Sequence, residues 1–291
     1  MSTHKNIWIA CCLNLGFAIL EAVFGVLFHS SLILADAVHD AGDALAIGLS
    51  ALFESYARKK ADDRYTLGYK RYSLLGALLV SIILITGSLF VIRENIPKLL
   101  APEKVDHQGM FVLALCAIAV NLVGKWMMEK GHSQHEKILS LHFLEDLLGW
   151  LLVLVLSAIF QWTDWYILDP LFSLLIAGFI SYKALGQFWE NIELVLEATP
   201  KGINREKLAQ ELETISALEA VLQLQVWTLD GLEHCAMVHI QVKDGEDMRE
   251  SKRLVRIRLQ DYGIRQISIE CDSSSTTHGS HEQVSENILN N

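Results

Sequence analysis

Two HxxxD pairs, His39 with Asp43 and His142 with Asp146, stand in otherwise apolar stretches of this 291-residue chain. Four helical residues return to within about 40° of the starting face, so in each pair the imidazole stacks over the carboxylate. Two imidazole nitrogens and two carboxylate oxygens suit a tetrahedral divalent ion, zinc first, with cobalt or cadmium tolerated. With both acids ionised and both imidazoles neutral, the bare set carries two negative charges, which a divalent ion cancels. Without that ion protons must do the work, and an ordinary imidazole takes them up near about pH 6.5. Metal binding must therefore release protons.

An acid in such surroundings defines the elements that hold it. The composition is 52% hydrophobic and only 20% charged, and the mean hydropathy is +0.30, the profile of a membrane protein. A charge near mid-bilayer costs about 2.5 to 3.5 kcal/mol, so it faces a cavity and a partner. At roughly 20 apolar residues per crossing, six spans emerge, near 7–28, 32–54, 72–94, 108–128, 138–160 and 168–188. Arg58, Lys59, Lys60, Arg64, Lys70 and Arg71 crowd one short loop between the second and third, marking it as cytoplasmic and placing both termini inside. The second span then runs inward and the fifth outward, which lets the two pairs reach one level. The first apolar run has no small-residue cleavage site after it and is expected to be retained.

From residue 196 the composition becomes that of a soluble domain. INREKLAQELETI has helical periodicity, AVLQLQVWTL and EHCAMVHIQV alternate as strands, MRESKRLVRIRLQDYG is a charged amphipathic helix, and IRQISIEC alternates again. The expected fold class is an α-helical membrane protein of six transmembrane helices followed by a small α-β-β-α-β cytosolic domain. Its expected domains are a membrane region over 1–195, a cytosolic one over 196–272 and a disordered tail over 273–291, too poor in apolar residues to fold.

Other polar residues of the spans admit quieter roles. Asp36 and Asp40 share the broad face of His39 and Asp43, as outer-path groups or as groups that orient the imidazole. Glu145 points about 100° from Asp146, towards a pore or an interface. Glu21, Asn14 and Asn121 read as interhelical hydrogen-bond groups or water contacts, and Asp169, beside Pro170, as a cap of the sixth helix. Five scattered cysteines without a CxxC give no disulfide framework. A net charge of −10 argues against nucleic acid, and no GxxxxGK[ST] points to ATP.

The motifs SLILADAVHDAGDALAIG, RYTLGYKRYSLLGALL, LHFLEDLLG, LDPLFSLLIAG, LEATPKG and VWTLD together resemble those of the cation diffusion facilitators. The resemblance runs from about residue 5 to 272. It implies a zinc-exporting transporter, not an enzyme, that exchanges metal for protons in a bacterial inner membrane and works as a homodimer. It implies that His39, Asp43, His142 and Asp146 form the transport site and that the cytosolic domain has a metallochaperone-like fold. His39 looks like the zinc-preferring form of a position where some relatives carry Asp. Arg71 and Glu197 match a charged interlock between the third span and the start of the cytosolic domain. Relatives often place histidines where this chain has Tyr65, Tyr69, Gln225 and Gln266, so no metal is expected in the loop after the second span. A partial cytosolic site of His239, Glu270 and Asp272 competes with an ordinary surface role for all three. His234 is weaker still, and His132 and His135 read as a solvated loop or as feeders of the pore.

Two rivals come from other classes. A haem protein would use His39 and His142 but leaves both aspartates idle. A sensor anchored by its spans needs no paired acids in oil.

Overall fold

The computed structural model describes residues 2–129 and 134–273, with side chains given for all of these except 2–10, 13, 50, 123–125, 127–129 and 134–145. Among the described residues the apolar runs form helices α1 (Ser2–Leu27), α2 (Ser31–Ala57), α3 (Tyr72–Leu100), α4 (His107–Glu129), α5 (Gln134–Phe160) and α6 (Leu168–Val195). Two of them, α3 and α6, are long and apolar enough to cross a bilayer, and α1, α4 and α5 contain the shorter apolar stretches Asn14–Leu27, His107–Leu122 and Asp146–Phe160. The helices outrun the apolar segments because intrahelical hydrogen bonds continue past the last oily residue. Thus α3 carries on through Arg93, Glu94 and Lys98.

The chain divides into two units, one formed by the residues up to Phe53 with Gly76–Phe188, the other by Glu54–Leu75 with the chain from Trp189 onward. In the first, Leu32 and Ile33 of α2 pack with Met110 and Ala114 of α4 and with Trp150 and Val153 of α5. A second small core joins Ala35, Val91 and Ala177 from α2, α3 and α6. Asp169, expected to cap its own helix, caps a neighbour instead. Its carboxylate accepts from Ser30 Oγ and from the Ser31 backbone N–H, both at 2.6 Å. The cause is the start of α2, whose first N–H groups have no carbonyl one turn back and here meet a buried acid. Ser173 Oγ adds a bond to the Ser31 carbonyl at 2.9 Å, and Lys98 Nζ donates to Ser31 Oγ at 3.0 Å.

In the second unit the chain after α6 forms α7 (Arg205–Glu213), β1 (Leu218–Thr228), β2 (His234–Val242), α8 (Met248–Asp261) and β3 (Ile264–Ser273), the α-β-β-α-β order read from the sequence. Strand order is β1-β2-β3, with β1 and β2 antiparallel and β2 and β3 parallel, so α8 is the crossover that a parallel pair requires. Asn204 and Asp247 cap α7 and α8. Leu208, Leu212, Val255 and Leu259 close the core over Leu224, Val238 and Ile240. The expected disordered tail lies outside the described residues apart from Ser273, which ends β3.

Candidate metal site

Asp36, His39 and Asp43 occupy one stripe of α2 at spacings of three and four, and all three line a cavity of about 420 Å³. The opposite walls come from Leu148, Gly149 and Leu152 of α5, Leu84 of α3, and Ile176, Phe179, Ile180, Lys183 and Gln187 of α6. Asp36, grouped from sequence with the outer path or the orienting groups, thus shares the cavity wall with His39 and Asp43. A side chain on Gly149 would begin 3.5 Å from Asp36 Oδ1, so α5 passes close to this stripe where it has no Cβ. Asp146 sits one turn before Gly149, and its carboxylate interacts electrostatically with Asp36.

The structure therefore brings His39 and Asp43 together on α2 and sets Asp146 on α5 within electrostatic reach of the same stripe. His142 lies in α5 one turn before Asp146, and its side chain lies outside the described residues, as do those of Glu145 and His135; His132 is outside altogether. Among the described residues no group of three or more His, Cys, Asp and Glu side chains is arranged to hold a metal. Behind the stripe, Asp40 is 8% exposed and Glu21 of α1 only 1%. Among the described residues the electrostatic neighbours of Glu21 are Asp40, then Asp36 and Asp146. Asn121, read as an interhelical hydrogen-bond group or a water contact, donates to the Ala117 carbonyl of its own helix at 3.1 Å.

Lys183 and Gln187 went unnoticed in the sequence. The available signal was a lysine in the oily run FISYKALGQFW, which the same cost argument applied to the acids would have marked.

In the second unit His239 Nε2 meets Asp272 Oδ2 at 3.0 Å, and Glu270 lies directly opposite His239 in the ladder. Gln223 completes the row on β1. His234 stands at the far end of β2, paired with Thr228 and Ile264. Arg71 Nη2 donates to Glu197 Oε1 at 2.5 Å, and Lys70 forms an ion pair with Glu233, whose other oxygen accepts from Gln266 Nε2 at 2.9 Å. Glu197 holds a left-handed backbone, φ 61°, at the end of α6. In the loop between α2 and α3, Asp62 accepts from the N–H groups of Arg64 and Tyr65 at 3.0 and 2.7 Å and from Tyr69 Oη at 2.6 Å. The Tyr69 bond and then the Tyr65 N–H hold the Asp62 carboxyl below the usual range, and the same contact pushes the Tyr69 phenol up to about 12.

Apolar helices with a carboxylate and imidazole stripe turned into a shared cavity define a membrane protein able to take up cations. Residues 7–196 match the cation efflux transmembrane domain, and the chain belongs to the cation efflux family. Among its curated relatives is a "cadmium, cobalt and zinc/H(+)-K(+) antiporter" of Bacillus subtilis, 26% identical over 284 residues, which are 95% of this chain and 91% of that protein. Zinc transporter ZitB of Pectobacterium atrosepticum is 27% identical over 270 residues, 91% of this chain and 83% of the relative. The metal cation efflux system protein CzcD of Cupriavidus metallidurans is 24% identical over 272 residues, 92% and 86% of the two chains.

Proposed function

We propose that this protein exports divalent metal, zinc first and with cobalt or cadmium tolerated, in exchange for protons by alternating access. The observation that carries the reading is the single cavity lined by Asp36, His39 and Asp43 of α2, with Asp146 in electrostatic reach of that stripe. In this reading His39, Asp43, His142 and Asp146 bind the ion. Open to the cytosol, the site exchanges protons for metal; rocked outward, it takes up protons again and lets the metal go. Each proton descending one pH unit supplies about 1.4 kcal/mol to the cycle. The names of the three relatives support both the cargo and, for the Bacillus protein, the proton.

The architecture that goes with this function is six membrane crossings over residues 1–195, in a bacterial inner membrane with both termini cytoplasmic. A metallochaperone-like cytosolic domain over 196–272 and a disordered tail over 273–291 follow. The protein works as a homodimer, and His239 with Glu270 and Asp272 forms at most a partial cytosolic metal site. The family match and the two helices able to cross a bilayer support the membrane setting.

Proteoliposomes carrying an imposed pH gradient and a zinc-sensitive dye test the proposal. Wild-type protein moves zinc in a direction set by the gradient, and Asp43→Ala, His142→Ala and Asp146→Ala each bring the flux to that of empty vesicles. Zinc movement indifferent to the gradient, or undiminished in those variants, rejects it.

A further inference from the structure

The cavity holds a cation of its own. Lys183 lies about 22 Å along α6 from its first residue, at 1.5 Å per residue, with twelve more helical residues up to and including Val195. It is therefore no helix-end lysine. Phe179, Lys183 and Gln187 repeat every four residues and line the cavity opposite Asp36, His39 and Asp43. The Lys183 ammonium rests 4.6 Å from the Phe179 ring centroid, within the range in which a ring face attracts a cation. An ammonium on an apolar helix faces either a cavity of opposite charge or, by bending its stem, the membrane surface. Here the wall across from it is acidic.

We propose that Lys183 is a tethered counter-cation of the transport cavity, a residue that sets metal affinity and excludes monovalent ions. The inference rests on the metal-export reading. When the ligands hold no metal, the ammonium offsets part of the negative charge that Asp36 and Asp43 bring to the cavity. A sodium or potassium ion offers no more charge than the lysine already supplies, and it makes no strong bonds to imidazole. A zinc ion brings twice the charge and binds nitrogen and oxygen directly, so it enters against the ammonium's repulsion. The same repulsion lowers the affinity and speeds departure on the far side. Export benefits from an ion held selectively and released readily.

Removing the charge should therefore move binding and turnover in opposite directions. For purified Lys183→Gln the zinc Kd should fall about tenfold, the size of a modest loss of charge repulsion, while the maximal zinc flux in proteoliposomes falls. Potassium, without effect on zinc binding by the wild type, should begin to compete. Lys183→Arg, which keeps the charge, should restore both constants. Lys183→Met, which keeps the aliphatic stem, decides the matter should the glutamine variant fail to fold. A lysine that only anchors α6 at the membrane surface gives unchanged zinc Kd and no potassium competition in these variants, and that result overturns the proposal. Weaker binding and slower flux together indicate a packing defect and overturn it as well. Wild-type protein that binds no zinc rejects the export reading and this inference with it, whereas a wild type that binds and transports, beside an indifferent Lys183→Gln, rejects this inference alone.

Discussion

At the scale of single residues the chemistry of the cavity is carried by groups that apolar surroundings would expel. Behind the cavity wall Glu21 is the clearest case among the described residues: buried to 1% exposure and turned towards the acid of Asp40. Two acids buried side by side repel one another when both are ionised. Glu21→Gln supplies an N–H donor for Asp40 at nearly constant volume, so the variant should melt about 2 to 4 °C higher in detergent, in line with a gain near 1 kcal/mol. A lower melting temperature would show that the acid has a structural partner of its own. That His39 and Asp43 share one face of α2 was legible in the sequence, because the four-residue helical period is short-range and needs no tertiary knowledge. Lys183 was not. Whether a lone lysine turns towards a cavity or towards headgroups is decided by how α6 packs on α2, and spacing within one helix carries no word of that.

At the scale of elements, the loop between α2 and α3 shows how a short polar link acquires a fixed form. Asp62 gathers three donors, two backbone and one phenolic. The rings of Tyr65, Tyr69 and Tyr72 meet one another beside it in tilted and edge-on contacts. Since Asp62 is held below its usual range, the stabilisation it brings is present above the ordinary carboxylate range and vanishes as pH falls through the lowered value. At the alkaline end the Tyr69 bond persists until the phenol titrates at about 12. Ultraviolet difference titration should accordingly show one tyrosine ionising last, and Tyr69→Phe should delete that step. A titration in which every phenol ionises near the ordinary value of about 10 would contradict the bond. The sequence revealed that this loop lacks histidine and is basic, but not that an aspartate organises it, because Asx-type capture depends on backbone turns that Gly68, at φ 79°, helps set. Element order in the C-terminal region was legible throughout, since alternation and amphipathic periods are strong there. The parallel pairing of β2 with β3 followed only from the crossover through α8.

At the scale of the whole molecule, the division of the chain is not linear. Residues Glu54–Leu75 group with the chain from Trp189 onward, and the ion pairs Arg71 with Glu197 and Lys70 with Glu233 lie inside that unit. The Arg71 pair is half exposed and worth about 0 to 1 kcal/mol, too little to matter for folding. Its value would lie in fixing where the loop stands while the transporter cycles. Arg71→Glu and Glu197→Arg should each slow proteoliposome zinc flux severalfold with little change in melting temperature, and the double reversal should recover most of it. Flux that stays low in the double variant would separate these two residues. The interlock was expected from motif resemblance, whereas the Lys70, Glu233 and Gln266 cluster beside it was not, because no local pattern links positions so far apart in sequence.

The bond from Asp169 to the first turn of α2 has a mechanical result. It rivets the leading ends of α2 and α6, the helices that carry the acidic wall and the lysine of the cavity. Two rods fastened at one tip can part only at the other, like the legs of a pair of dividers. Any widening between them must therefore grow with distance from Ser30.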